Sequence, residues 1–149
     1  MKYSYYKFKE LTVDDIYYIL RLRSEVFVIE QNCIYQDIDK KDLEAIHVLI
    51  KEEDKLIGYA RILKKGTSYE KYSSIGRVVV KKKERYKTTG KKLMQFSVKK
   101  CFELYPNDAI KISAQTYLKN FYVAQGFVYK GEDYLEDAIP HCAMYLDKP

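Results

Sequence analysis

The stretch "GRVVVKKKERYKTTGKKLM", residues 76–94, changes character twice. Val78, Val79 and Val80 are a β-branched run suited to a buried strand, and from Gly90 onward Leu93 and Met94 open an apolar stripe at helical spacing. Between them Lys81, Lys82, Lys83, Arg85, Lys87, Lys91 and Lys92 stand against a single acid, Glu84, so this short segment carries the entire +6 net charge of the chain. A strand that passes through a short loop into a helix gathers unpaired backbone N–H groups and the positive end of the helix dipole at one point, which suits a phosphate or diphosphate. The same residues also fit a loop and helix face that are merely solvated.

Outward from this stretch the pattern is that of an α/β chain. Toward the N-terminus, "LTVDDIYYILRLRSEVF" reads as an opening helix capped by Thr12 with Asp15, with Ile16, Ile19, Leu20 and Arg23 at helical spacing. Residues 29–42 are polar, acidic and loop-like. "HVLIKEEDKLIGYARIL", residues 47–63, predicts an antiparallel hairpin about "KEEDK", and a polar linker, 64–74, leads to the strand "IGRVVV". Toward the C-terminus, Leu93, Ser97, Cys101 and Leu104 form one stripe of a helix that Pro106 stops. "AIKISA" alternates as a strand, "YLKNFYVAQ" is a short helix closed by Gly126, "FVYKG" begins a strand, and "HCAMYL" ends the chain. A hairpin-dominated first half and an alternating second half predict one domain over residues 1–149, of α/β class with a mixed sheet.

Composition narrows the function. With 47% hydrophobic and 32% charged residues the chain has an ordinary globular balance, and no apolar window is long enough for a membrane span. The three cysteines, odd in number and widely spaced, suit reduced thiols in a cytoplasmic protein rather than a disulfide framework. The two histidines and three cysteines show no metal-ligand spacing. Basic and acidic residues balance outside 81–92, which argues against a nucleic-acid groove, whose positive stripe draws on several elements. The loop lacks the glycines and the Gly-Lys-Ser/Thr ending of a P-loop, and it lacks the dinucleotide fingerprint.

The strand, the R-x-x-x-x-G loop from Arg85 to Gly90, the helix, and then "AQTYLKNFYVAQGF" resemble the acetyl-coenzyme A motif of GNAT acetyltransferases. "LRSEVFVIEQNCIYQDIDKKD", "IGRVVV", "ISAQTYLKNFYVAQGF" and "YLEDAIPH", in that order, are similar to the ElaA-like branch of that superfamily. The resemblance implies a mixed, mostly antiparallel sheet flanked by helices and splayed at its central strand. It implies that Val78, Val79 and Val80 pair with the pantetheine arm of acetyl-CoA, and that the amides of Arg85, Tyr86, Lys87, Thr88, Thr89, Gly90 and Lys91 receive its pyrophosphate. Tyr86 and Thr88 replace loop glycines; a side chain there costs about 1 kcal/mol if φ is positive. Thr88 or Thr89 is a candidate for capping the helix and donating a hydroxyl to phosphate. Gln115 and Asn120 are candidates for the pantetheine arm.

Acetyl transfer to an amine needs a neutral amine, a donor for the oxyanion and a proton for the departing thiolate. Tyr122 matches the family tyrosine that protonates the thiolate, and a backbone amide near Val79 is the expected oxyanion donor. Candidates for the base are Glu30, His47 and His141. Two acidic loops, Glu30 with Gln31, Asp37 and Asp39, and Glu136 with Asp137, would attract a cationic amine if they border the cleft, and otherwise are simply solvated. Arg77, unusual in an apolar strand, is suited to orienting an acceptor carboxylate or pairing with one of these acids. The acceptor is a small-molecule or peptide amine, and a homodimer is left open. Two other readings remain: a nucleic-acid-binding module using the basic loop and exposed tyrosines, and a sensor that binds acyl-CoA without turnover.

Overall fold

The computed structural model describes residues 1–149. Strand β1 (Lys2–Lys7) precedes helix α1 (Val13–Arg23), where Thr12 Oγ1 accepts from the Asp15 amide at 3.0 Å and Asp15 accepts in return from the Thr12 amide. The expected capping box is therefore formed. The helix does not stop as an α-helix: Ser24–Glu30 continue it as a π turn, a form rare enough to mark functional sites.

Strands β2 (Ile46–Glu52) and β3 (Lys55–Leu63) are the anticipated hairpin, turned by Glu53 and Asp54, both at positive φ as a two-residue type I′ loop requires. β4 (Ser74–Val80) follows, and β1-β2-β3-β4 form one antiparallel sheet. After the basic loop come helix α2 (Thr89–Leu104), strand β5 (Ile110–Gln115) and helix α3 (Lys119–Ala124). Gly126, at φ 99°, ends α3 in a Schellman arrangement: Phe127 donates to the Tyr122 carbonyl and Gly126 to that of Val123. β6 (Val128–Glu136) and β7 (Ile139–Leu146) turn at Asp137 and Ala138, again both at positive φ, and the second antiparallel sheet has the order β5-β7-β6.

Strand alternation divides the core. Val48, Ile50, Ala60 and Ile62 pack toward α2 with Leu93, Met94 and Cys101, whereas Leu49, Tyr59 and Val79 pack toward α1 with Ile19 and Leu22. On α2 the buried stripe includes Phe102, and Leu104 lies exposed, a correction to the expected stripe. β1, whose Tyr and Lys alternation gave no clear signal, pairs with β2 along its whole length. No helix is long and apolar enough to cross a membrane.

The two sheets meet only at their start. A parallel bridge joins Ser73 to Ile110, with Ser73 donating to the Ala109 carbonyl at 3.2 Å and Lys111 to that of Ser73 at 3.0 Å. Beyond it β4 and β5 diverge, leaving a V-shaped cleft. This is the splay that the resemblance implied.

Candidate active site

The cleft is built from both sheets and the segment that follows α1. Ile75, Gly76, Arg77 and Val78 of β4 form one wall; Ile112, Ser113 and Gln115 of β5 form the other. Phe27 and Gln31 enter from the π turn and its end, Tyr122 and Leu118 from α3 and the turn before it, and Glu136 and His141 from the β6–β7 hairpin. Gln31 and Gln115 exchange side-chain amide hydrogen bonds of 3.3 and 3.4 Å across the gap.

The β4 wall is irregular for an identifiable reason. Tyr59 pairs with Val79 and Arg61 with Gly76, so β4 spends one residue more than β3 over this interval, and Arg77 and Val78 fall outside the ladder. Arg77 sits at φ 51°, where a non-glycine residue costs about 1–3 kcal/mol. Its Nε lies 2.8 Å from Asp37 Oδ1 and its Nη2 donates to the Asp37 carbonyl at 3.1 Å, interactions that hold the bulge.

Beyond the C-terminal end of β4, the loop that leads into α2 presents a run of free donors. The Arg85 amide donates to Lys82 and the Lys92 amide to Thr88, but those of Tyr86, Lys87, Thr88, Thr89, Gly90 and Lys91 donate to no protein acceptor. They cluster at the N-terminus of α2, whose dipole adds positive potential, with Lys87 and Lys91 beside them. A diphosphate fits this donor set. Tyr86 is at φ 63° with its side chain fully in solvent, so the bulky residue does occupy a left-handed position; Thr88, at φ −84°, carries no such strain. Neither threonine caps the helix through its side chain: Thr88 makes no capping bond, which leaves its hydroxyl without a protein partner, whereas buried Thr89 donates to Glu84 Oε2 at 3.4 Å.

Residues 8–148 match the family model described as an acetyltransferase (GNAT) domain. The chain belongs to the GNAT acetyltransferase family. It is 43% identical over 137 residues to the protein ElaA of Escherichia coli (strain K12), covering 91% of this chain and 89% of that protein. The crystal structure of E. coli ElaA is similar with a TM-score of 0.91 at 39% identity, covering 99% of this chain and 100% of that one. The crystal structure of an acyl-CoA N-acyltransferase from Pseudomonas aeruginosa is similar at a TM-score of 0.90 and 34% identity, with the same coverage. In this GNAT chain the unpaired amides belong to the loop for which the sequence resemblance implies a pyrophosphate site.

The other expected site residues of the GNAT chain separate into those in the cleft and those outside it. Tyr122 is in it: its ring packs edge-on against Phe121 and Phe127, its hydroxyl has no protein partner, and burial pushes the phenol above its ordinary pKa. His141 is also in it, with Nδ1 2.7 Å from the Ile139 carbonyl and Nε2 3.4 Å from Glu136 Oε2. Val78 lines the cleft, while Val79 packs toward α1 and Val80 toward α2. Asn120 lies exposed near the start of α3, outside the cleft lining.

His47 is not a cleft base. It faces α1, 2% exposed, with Nδ1 2.7 Å from the Tyr59 hydroxyl and Nε2 2.8 Å from the Asp42 carbonyl, and burial lowers its pKa. Glu30 is drawn to the basic loop, where Oε2 lies 2.6 Å from Arg85 Nη1. The 29–42 loop is not an acidic lure for an amine either. Asp42 accepts from Arg23 Nη1 and Arg61 Nη1, both at 2.8 Å, Asp37 from Arg23 Nε at 2.9 Å, and Asp39 from Arg61 Nη1 at 2.6 Å. Burial raises the Asp42 carboxyl pKa, but the two guanidiniums more than reverse this and hold it below the ordinary range. Of the two roles open to Arg77, pairing with an acid is the one observed.

Sequence reasoning placed Gln31 only in a loop that would border the cleft, and it missed Cys33 and Ser113 as cleft residues. Nothing local marks them: Gln31 reaches the cleft through the π turn, and Ser113 is one of several polar residues on an alternating strand.

Proposed function

We propose that this chain is an acetyl-CoA-dependent N-acetyltransferase that passes the acetyl group directly to an amine, without a covalent enzyme intermediate. The observation that carries the reading is the run of unpaired amides from Tyr86 to Lys91 in the loop that continues β4, the strand that forms one wall of the cleft containing Tyr122. Acetyl-CoA supplies an activated acetyl group as a thioester. The loop amides with Arg85, Lys87 and Lys91 hold its diphosphate through charge-assisted hydrogen bonds. Where β4 parts from β5, the backbone from Val78 to Val80 is the edge for the pantetheine arm, and an amide of Val78 or Val79 is the oxyanion donor. Gln115 is a second polar contact for the arm, once it exchanges its bond to Gln31.

Tyr122 donates from its hydroxyl to the departing sulfur. Raised by burial, this phenol stays protonated at neutral pH and has no competing protein acceptor. The acceptor is a small-molecule or peptide amine. Calorimetric titration with coenzyme A, followed by a thiol-release assay over amine classes, tests the reading. Micromolar binding with release stimulated by at least one class is expected; binding without release for any amine would leave a sensor, and no binding at all would refute the site.

A further inference from the structure

On the β5-β7-β6 sheet, Gln115 pairs with His141 and Tyr134 with His141, so these side chains share the face turned to the cleft. A connected polar chain runs along this face. Tyr134 donates to Ser113 Oγ at 2.5 Å, Ser113 Oγ donates to Glu136 Oε1 at 3.4 Å, and Glu136 Oε2 lies 3.4 Å from His141 Nε2. The Tyr134 ring stacks on the imidazole at 6.2 Å between centroids and 15° between planes. His141 is buried, while half of the Glu136 side chain reaches solvent.

The Ile139 carbonyl fixes the chemistry. A carbonyl only accepts, so at 2.7 Å the Nδ1 atom must carry the proton, and the neutral ring then keeps its lone pair on Nε2. A lone pair facing a carboxylate cannot bond it. The Nε2 to Glu136 contact becomes favourable once Nε2 takes up a proton or an N–H of another molecule lies between them.

We propose that His141 is the general base for the acceptor amine and Glu136 the residue that positions it and stabilises its imidazolium, and that the pair selects a cationic amine with no carboxylate beside it. This rests on the transferase reading above. An ammonium entering the cleft meets Glu136 and Asp137, whereas Arg77, the one guanidinium lining it, is engaged by Asp37, so no free cation receives an acceptor carboxylate. The ammonium gives one proton to His141 Nε2, which passes it through exposed Glu136 to water. The nitrogen–carbon bond to the acetyl group then forms and the carbon–sulfur bond breaks. The second proton leaves nitrogen by the same route through His141, the sulfur takes one from Tyr122, and the phenolate is re-protonated from water, so one proton is released per turnover.

The titratable and charged groups sharing the cleft with the imidazole are Glu136 of β6, Asp137 of the turn, Cys33 and Tyr35 of the loop before β2, Arg77 of β4 and Tyr122 of α3. Tyr134 of β6 covers its face. Of these only Glu136 is placed against Nε2.

The first test needs no substrate. Long-range nitrogen–proton NMR of the free protein should show the neutral His141 ring protonated at Nδ1; the Nε2-protonated tautomer would overturn the proposal. The second is a pH–rate profile with an aliphatic monoamine. His141→Gln should lower kcat about 100-fold or more with coenzyme A affinity unchanged, its rate rising with pH toward the amine's own pKa of about 10. Glu136→Gln should lower kcat with coenzyme A affinity unchanged and reduce discrimination against the amino acid of matching length, a change in selectivity that a purely structural role would not produce. A His141→Gln rate within threefold of the parent, at equal melting temperature, sinks the base assignment while leaving the transferase reading intact. Failure of the parent to release thiol with any amine would remove that reading and this one together, whatever the tautomer.

Discussion

Replacing Tyr122 by phenylalanine removes one oxygen from the cleft wall. The ring stays between Phe121 and Phe127, and because the hydroxyl meets no protein partner, its loss strands no buried group. Stability should therefore change by less than about 0.5 kcal/mol, as for substitutions that break no specific interaction. The kinetic effect follows from the acidity of the phenol. A free thiol has a pKa of about 8.5, and burial raises Tyr122 above its ordinary value of about 10, so complete proton transfer to sulfur runs uphill. Tyr122 acts first as a hydrogen-bond donor to the charge growing on sulfur, an interaction worth about 1.5–3 kcal/mol, or about 10–150-fold in rate. The assay is thiol release at saturating acetyl-CoA and amine, alongside calorimetric affinity for coenzyme A and thermal unfolding. A turnover number equal to the parent's removes Tyr122 from the chemistry. A fall in turnover matched by equal losses of coenzyme A affinity and melting temperature assigns it to packing instead.

Arg85→Ala should weaken coenzyme A binding about 10-fold by calorimetry, through loss of a charge-assisted phosphate contact. Glu30→Gln should tighten binding a few-fold, since it frees the guanidinium now 2.6 Å from the carboxylate; a large loss of turnover with unchanged binding would instead return Glu30 to the chemistry. Asp42→Asn leaves Arg23 and Arg61 short of a buried counter-charge, at about 3–5 kcal/mol, and should lower the melting temperature by roughly 10 °C. Acid stability should fall in two phases. His47 is held neutral below its ordinary pKa of 6.5, so its contribution is complete above that pH and declines as pH falls below it; Asp39 and Asp42 contribute fully above about 3.8 and lose their share as pH falls through their lowered folded values. Urea midpoints across the acid range read this, and His47→Gln should abolish the upper phase alone.

Elements whose cause is local were legible in the sequence. The Thr12 and Asp15 capping box, the Glu53–Asp54 hairpin, the strand into the basic loop and the glycine that ends α3 each depend on residues a few positions apart. β1 escaped because it is an edge strand: lysines that guard its open side dilute the alternation of its tyrosines. The β6–β7 turn carries Asp137 and Ala138 at positive φ without the Asn-Gly pair that announces such a loop, which hid the extent of β6. The π turn has no sequence signal of its own.

What the sequence concealed most fully is also what shapes the site. Asp37 and Asp39 read as unpaired acids of a polar loop, either solvated or a draw for an amine, because their partners lie far along the chain: Arg23 is 14 positions from Asp37, and Arg77 is 40. Once paired, these charges do more than satisfy one another. Asp37 holds both Arg23, at the end of α1 where the π turn begins, and Arg77, whose left-handed backbone makes the bulge in β4. One carboxylate thus ties the π turn that delivers Gln31 to the bulge that displaces Val78, and these are the two departures from regular structure in the cleft walls. A residue in the left-handed region persists only when its surroundings over-determine it, and here the over-determination is electrostatic and non-local. The two irregular walls of the cleft are therefore tied together by an ion network centred on one buried carboxylate.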